Sequence, residues 1–164
     1  MNEINTQKSY LTFKLGKETF ASNVSNVLNI LEMPQITEVP QTPEYMVGVM
    51  NLRGAVLPVI DTRVKFGMGA TQVSTNTCVL VLEIDSDAKK VRIGAMVDAV
   101  DEVLEINEQD INPSPTIGTK CNTDFIQGMV QQGESFIMIL NMDNVFTTHE
   151  IISLKNKLEA VVED

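Results

Sequence analysis

The side chains able to do chemistry are few in this chain and poorly placed for it. His149 is the single histidine, and no set of Cys, Asp or Glu surrounds it at metal-ligand spacing, so nothing builds a zinc site. Cys78 and Cys121 stand far apart, with no second ligand pair nearby and no evident base to activate either thiol. The acidic stretch from Asp98 to Asp110 holds Asp98, Asp101, Glu102, Glu105, Glu108 and Asp110, but it lacks the ligand spacing and the Gly of a calcium loop and reads as a solvated face. A phosphate-cradling Gly loop and a Gly-x-Ser-x-Gly elbow are both missing. The sequence therefore argues against an enzyme and implies no metal or cofactor. What remains is recognition chemistry. Asn51-Leu52-Arg53-Gly54 sets a guanidinium in a turn between apolar runs, where its planar donors can meet carboxylate, amide or backbone oxygens of a partner in a way that Lys would not reproduce.

The elements that must position this turn are strands. In 10–15, Leu11, Phe13 and Leu15 alternate with Thr12 and Lys14, the period of a half-buried strand, and Gly16-Lys17 then suits a hairpin turn. The stretches 55–60, 78–84 and 136–140 are short, rich in Val, Ile, Leu or Phe and bounded by turn residues, which predicts buried strands. Residues 85–90 form a polar hairpin loop, and 67–76 a Gly, Ser and Thr-rich crossing. Residues 25–31 fit a helical turn or a strand equally. Near the end Ile151, Leu154, Leu158 and Val161 share one face behind Thr147 and Glu150, a capping box, which predicts a helix packed on a sheet.

The whole chain has 164 residues, 43% of them hydrophobic, enough for one compact domain or two very small ones. Its 22 acidic against 12 basic residues give a net charge of -10, which disfavours nucleic acid and anionic lipid surfaces and favours a protein or small-ligand partner. The opening MNEINTQKSYL has neither the basic start nor the apolar stretch of a signal peptide, and no apolar run reaches the roughly 20 residues that cross a bilayer. The expectation is a cytosolic protein with reduced thiols and no direct membrane insertion.

The two halves repeat unequally. Val24, Val27 and Ile30 match Val97, Val100 and Val103; Ile36 and Pro40 match Ile111 and Pro115; Tyr45, Gly48, Pro58 and Phe66 match Phe125, Gly128, Met138 and Phe146. Order is kept, and the small insertions between blocks are what a duplicated β unit with variable loops leaves. Asn51-Leu52-Arg53-Gly54 falls opposite Gln131-Gln132-Gly133-Glu134, so only one copy carries the cation. A residue kept for packing recurs in both copies; Arg53 does not, which points outward. For Gly48 and Gly54 the residue reading is turn geometry, and for Pro58 a sheet edge or bulge.

The segment GVMNLRGAVLPVIDTRVKFG, 48–67, closely resembles the signature of CheW-like chemotaxis coupling proteins, and the flanks YLTFKLGKETFA and ITEVPQTPEYM follow that family in order across roughly residues 10–158. The resemblance implies a mainly β fold of two tandem five-stranded SH3-like barrels packed side by side, with a C-terminal helix. In these terms 1–9 is a tail, 16–84 the first barrel, 85–147 plus strand 10–15 the second, and 148–161 the helix. It implies a non-enzymatic adaptor joining the cytoplasmic tip of chemoreceptors, the methyl-accepting chemotaxis proteins, to the regulatory domain of the histidine kinase CheA in signalling arrays, membrane-associated only through those arrays.

Position by position, the resemblance makes Asn51, Leu52, Arg53 and Gly54 the recognition turn, with Gly48, Pro58, Asp61, Arg63 and Phe66 as motif support. Two readings stay open for Val24, Val27 and Ile30 and for Val97, Val100 and Val103: the groove between barrels that receives the receptor tip in the family, or ordinary core. Asn29 stands where the family usually has a Glu that could face the motif Arg, and Thr62 where it has Leu. The other functions weighed are a small-ligand-sensing barrel, a scaffold for another two-component kinase pathway and, last, a hydrolase or redox enzyme.

Overall fold

The computed structural model describes residues 7–86, 89–113 and 125–147, together with residues 150, 151, 153, 154 and 156. Its strands are β1 Gln7–Leu15, β2 Glu18–Asn23, β3 Val27–Glu32, β4 Met46–Leu52, β5 Ala55–Asp61, β6 Cys78–Ser86, β7 Lys89–Val97, β8 Ala99–Asn107, β9 Ile126–Gln132 and β10 Ser135–Leu140, with a one-turn helix α1 at Thr62–Lys65. They form two five-stranded sheets, ordered β8-β1-β2-β10-β9 and β3-β6-β7-β5-β4. Each is antiparallel except for one parallel pair, β2 with β10 and β5 with β7. The fold is thus mainly β with a two-barrel SH3-like architecture.

Side-chain alternation divides the apolar residues among three cores. Met50, Leu57, Val59, Val79, Val81 and Met96 fill the interior of one sheet, and Tyr10, Ala21, Ile106, Ile137 and Ile139 that of the other. The opposite faces meet: Leu11, Phe13, Leu15, Phe20, Leu80, Leu82, Ile84 and Ile93 belong to a larger core shared by both sheets. The alternation along β1 therefore separates two buried faces. Thr12, on the second of them, is buried at a bulge in β1, where its hydroxyl donates to the Glu102 carbonyl at 2.7 Å and accepts from the Glu102 N–H at 3.0 Å.

The strand registers reproduce the sequence repeat. Val27 pairs with Leu82 and Ile30 with Leu80, with a register shift between Val27 and Asn29; Val100 pairs with Phe13 and Val103 with Leu11, again across a shift. In β4–β5 the pairs Met46–Ile60 and Gly48–Val59 flank a shift, and Ile126–Leu140 and Gly128–Ile139 flank its equivalent. Even the isolated bridges Thr37–Val49 and Asn112–Met129 correspond. Aromatic pairs cross between copies: Tyr45 lies 5.7 Å from Phe146, and Phe125 stacks at 4.4 Å on Phe66.

One expectation needs correction. The barrel boundaries 16–84 and 85–147 plus 10–15 divide the chain differently from the pairing: β2 stays with β1 beside β10, and β7 joins β6 beside β5. The cause is the tight hairpin. Leu15 pairs with Glu18 across Gly16-Lys17, so β2 cannot leave β1, and the β6–β7 ladder from Cys78–Val97 to Ser86–Lys89 holds β7 in the same way. Each copy therefore gives two strands to one barrel and three to the other.

Candidate functional site

The turn Asn51-Leu52-Arg53-Gly54 caps the β4–β5 hairpin. Leu52 pairs with Ala55, leaving Arg53 and Gly54 as a two-residue turn with φ of 54° and 86°, the mirror-image turn that hairpins prefer. Asn51 Oδ1 accepts the Gly54 N–H at 3.0 Å and holds the turn closed. Arg53 is exposed and, among the described residues, has neither an ion pair nor a hydrogen bond. Apart from Gln41 it is the only described non-glycine residue at positive φ. Gly133, at φ 62°, occupies the matching position of the β9–β10 turn. From Met46 to Ile60 Arg53 is the only charged residue. Asn51 also borders a shallow depression of about 470 Å³ with Pro34, Thr37 and Val56.

The support residues anchor this hairpin. Gly48 has no room for a side chain, since a Cβ would lie 2.2 Å from the Thr37 carbonyl oxygen; Gly128 would meet Asn112 O at 2.4 Å. Pro58 is on an inner strand, neither at a sheet edge nor at a bulge as expected. It costs no ladder bond there, because the opposite Val49 sends its N–H and C=O to Thr37 at 2.8 Å each, and pairing with β7 starts only at Val59. Asp61, 4% exposed, caps α1 through Oδ1, which accepts from Arg63 N–H at 3.0 Å, and binds Thr71 through N–H and hydroxyl at 2.8 and 2.7 Å. Thr62 is buried, and its hydroxyl finds no partner among the described residues.

Arg63 differs in kind from Arg53. It pairs with Asp98 at 3.3 Å and donates to the Met68 carbonyl at 3.3 Å, while Asp98 Oδ2 also accepts the Gly16 N–H at 2.6 Å. This arginine ties the β1–β2 turn, the β7–β8 link and α1 together. Phe66 stacks on Phe125 and lies 5.7 Å from Phe20, so it packs between the copies.

The apolar sets divide. Val97 is 0% exposed within the shared core, which removes it from any groove surface; it pairs with Cys78 inside the sheet, whereas its match Val24 lies on an exposed 3₁₀ turn. Val27 and Val100 are partly buried against that same core. Ile30 and Val103 are exposed at 49% and 56% on β3 and β8, end strands of the two sheets. Three-residue spacing missed Leu28, 41% exposed, which shares the open side of β3 with Ile30 and Glu32 while Val27, Asn29 and Leu31 are less exposed. Period two would have found it. His149 and Cys121 lie outside the described residues; Cys78 is a free thiol. No described group of His, Cys, Asp and Glu could hold a metal ion, and no described helix is long and apolar enough to span a membrane.

Comparison with known proteins identifies the family to which this geometry belongs. The family model of the CheW-like domain matches residues 9–150. The chain belongs to the CheW-like family. This CheW-like chain is 31% identical over 146 residues to the chemotaxis protein CheW of Rhizobium meliloti, covering 89% of itself and 92% of that protein. With the chemotaxis protein CheW of Klebsiella aerogenes it shares 30% over 149 residues, 91% and 87% of the two chains. The crystal structure of the scaffolding protein TtCheW from Thermoanaerobacter tengcongensis superposes with a TM-score of 0.75 at 32% identity, over 87% of this chain and 94% of that one. Membership makes the CheW-like chain a chemotaxis scaffold and not an enzyme.

Proposed function

We propose that this scaffold couples chemoreceptor cytoplasmic tips to the regulatory domain of the histidine kinase CheA, in the cytoplasm, with the Arg53 turn as a principal docking element. One observation carries the reading. Arg53 occupies a left-handed backbone position that its twin turn fills with Gly133, and it is exposed and unpaired there among the described residues. A charge held at a conformational cost of about 1–2 kcal/mol, with no internal contact in return, is explained by an external one. The exposed Leu28 and Ile30 on β3 and Val103 on β8 supply apolar area for the second partner.

A pull-down with purified kinase regulatory domain and a receptor cytoplasmic fragment, each alone and then together, tests it. The wild-type chain binds both and bridges them. Arg53→Ala weakens one of the two contacts by about tenfold or more, the scale of a desolvated Arg anchor, and leaves the melting temperature nearly unchanged. An intact ternary complex with full kinase control in that variant refutes the assignment of Arg53.

A further inference from the structure

The base of the Arg53 hairpin is bracketed by Tyr45, directly before β4, and by Lys65, the last residue of α1 after β5. The Asp61 N–H donates to the Tyr45 carbonyl at 2.6 Å and closes that base. Lys65 Nζ sits 2.7 Å from Glu150 Oε2, and it lies 5.0 Å from the centre of the Tyr45 ring and 5.3 Å from that of Phe146. The other carboxylate oxygen, Oε1, accepts the Thr147 N–H at 2.9 Å, and the Glu150 N–H donates to Thr147 Oγ1 at 3.1 Å. One carboxylate thus completes the capping box and grips the lysine. Both side chains of the ion pair are mostly buried, at 16% and 23% exposure, where an ammonium over two aromatic faces is strengthened by exclusion of water.

The twin site shows that packing alone does not call for this charge. There Phe125 stacks on Phe66, and the residue matching Lys65 is Val145, 5% exposed. The cation is present in the copy that carries Arg53 and replaced by an aliphatic residue in the copy that lacks it. From this shared asymmetry we infer that Lys65 and Glu150 form a clasp through which the C-terminal helical segment positions the Arg53 hairpin for its partner. The inference rests on the docking role proposed above. Lys65 and Glu150 are positioning residues; neither has to touch the partner.

The test uses the full chain with Glu150→Gln, which keeps an oxygen for the cap and removes the charge, and with Lys65→Met, which keeps the stem. The first readout needs no partner. Hydrogen exchange of the amides in 46–61 speeds up by about tenfold in both variants, while 126–140 in the twin hairpin keeps its rate. The second is affinity for the kinase domain and the receptor fragment, which falls by about tenfold for the contact that Arg53→Ala weakens and falls no further when the two changes are combined. Equal changes in both hairpins, or none in either, overturn the clasp. Faster exchange confined to 46–61 with undiminished affinity overturns its positioning role. Wild-type binding by Arg53→Ala defeats the docking assignment itself, and the clasp proposal with it.

Discussion

Arg53 and Gly133 are the same position in two copies of one hairpin, and under the docking role proposed above the difference between them separates what the fold requires from what a partner would require. At φ of 54° and 62° both sit where a side chain is disfavoured, and only Gly133 is the residue that the backbone prefers. Arg53→Gly is accordingly expected to raise stability by about 1 kcal/mol, measured as a shift of the denaturant midpoint, while lowering partner affinity as much as Arg53→Ala does. A variant that is less stable, or that binds fully, contradicts the trade. Arg53 was legible in the sequence because the repeat exposes its lack of a counterpart. Arg63 was not legible as a structural cation, since its partner Asp98 lies on a connection whose place beside Gly16 is set by strands far apart in the chain. Val97 shows the same limit: matched Val residues share a sequence register, yet one is core and the other sits on an exposed turn.

At the scale of elements, what could be read directly was every strand whose alternation or apolar run is intact: β1, β5, β6 and β10 appear within a few residues of their expected bounds. The acidic residues of β8 hid a strand, because Asp101, Glu102 and Glu105 lie exposed along an end strand where polarity carries no penalty. Three-residue spacing in 24–30 concealed the period-two face of β3. The two glycines, by contrast, mark one device used twice, the bridge from Thr37 to β4 and from Asn112 to β9. Gly48→Ala and Gly128→Ala should each cost about 1–3 kcal/mol in urea unfolding, since a Cβ must displace a backbone carbonyl, and similar losses in the two are the signature of equivalence. A near-neutral effect at either site removes it. The capping box predicted at Thr147 and Glu150 is formed, and the described residues 150, 151, 153, 154 and 156 are helical, with Ile151 and Leu154 buried as expected; Leu158 and Val161 lie outside the described residues. Burial alone would raise the Glu150 carboxyl, but hydrogen bonds from Lys65 and Thr147 outweigh it and hold the group below its ordinary 4.5. A carboxyl whose folded value is depressed adds stability that is fully present above 4.5 and is lost as pH falls through the lower folded value. The stability gap between wild type and Glu150→Gln should therefore be constant from neutral pH down to about that point and shrink below it in acid unfolding curves. A gap independent of pH would mean that the ionised carboxylate contributes nothing. Burial, reinforced by Glu150, pushes the Tyr45 phenol to about 12, so it stays neutral throughout this range.

The whole molecule is two barrels in which neither copy of the repeat owns one. Four of the eight ladders, β1 with β8, β2 with β10, β3 with β6 and β5 with β7, join strands of different copies, and the shared core adds Phe13 and Leu15 from one side to Leu82 and Ile84 from the other. The covalent link between the copies is the exposed crossing after α1, where Thr71 is tied back to Asp61 and Ser74 forward to Thr77, leaving the Gln72–Val73 bond between two anchored ends. Cutting there, with a protease site placed at 72–73, releases no complete barrel, because each fragment keeps only two strands of one five-stranded sheet and three of the other, and β3 and β8 lose every ladder partner. The nicked protein should elute as one species and lose its β circular dichroism in a single transition, at a midpoint that falls on dilution as association becomes bimolecular. Two separately folded fragments in native buffer would mean that the cross-copy ladders are dispensable. In an intact chain those ladders prevent either barrel from opening without breaking the other, so under the coupling role proposed above a load on the Arg53 hairpin of one barrel is passed to the other through four cross-copy ladders and a shared core.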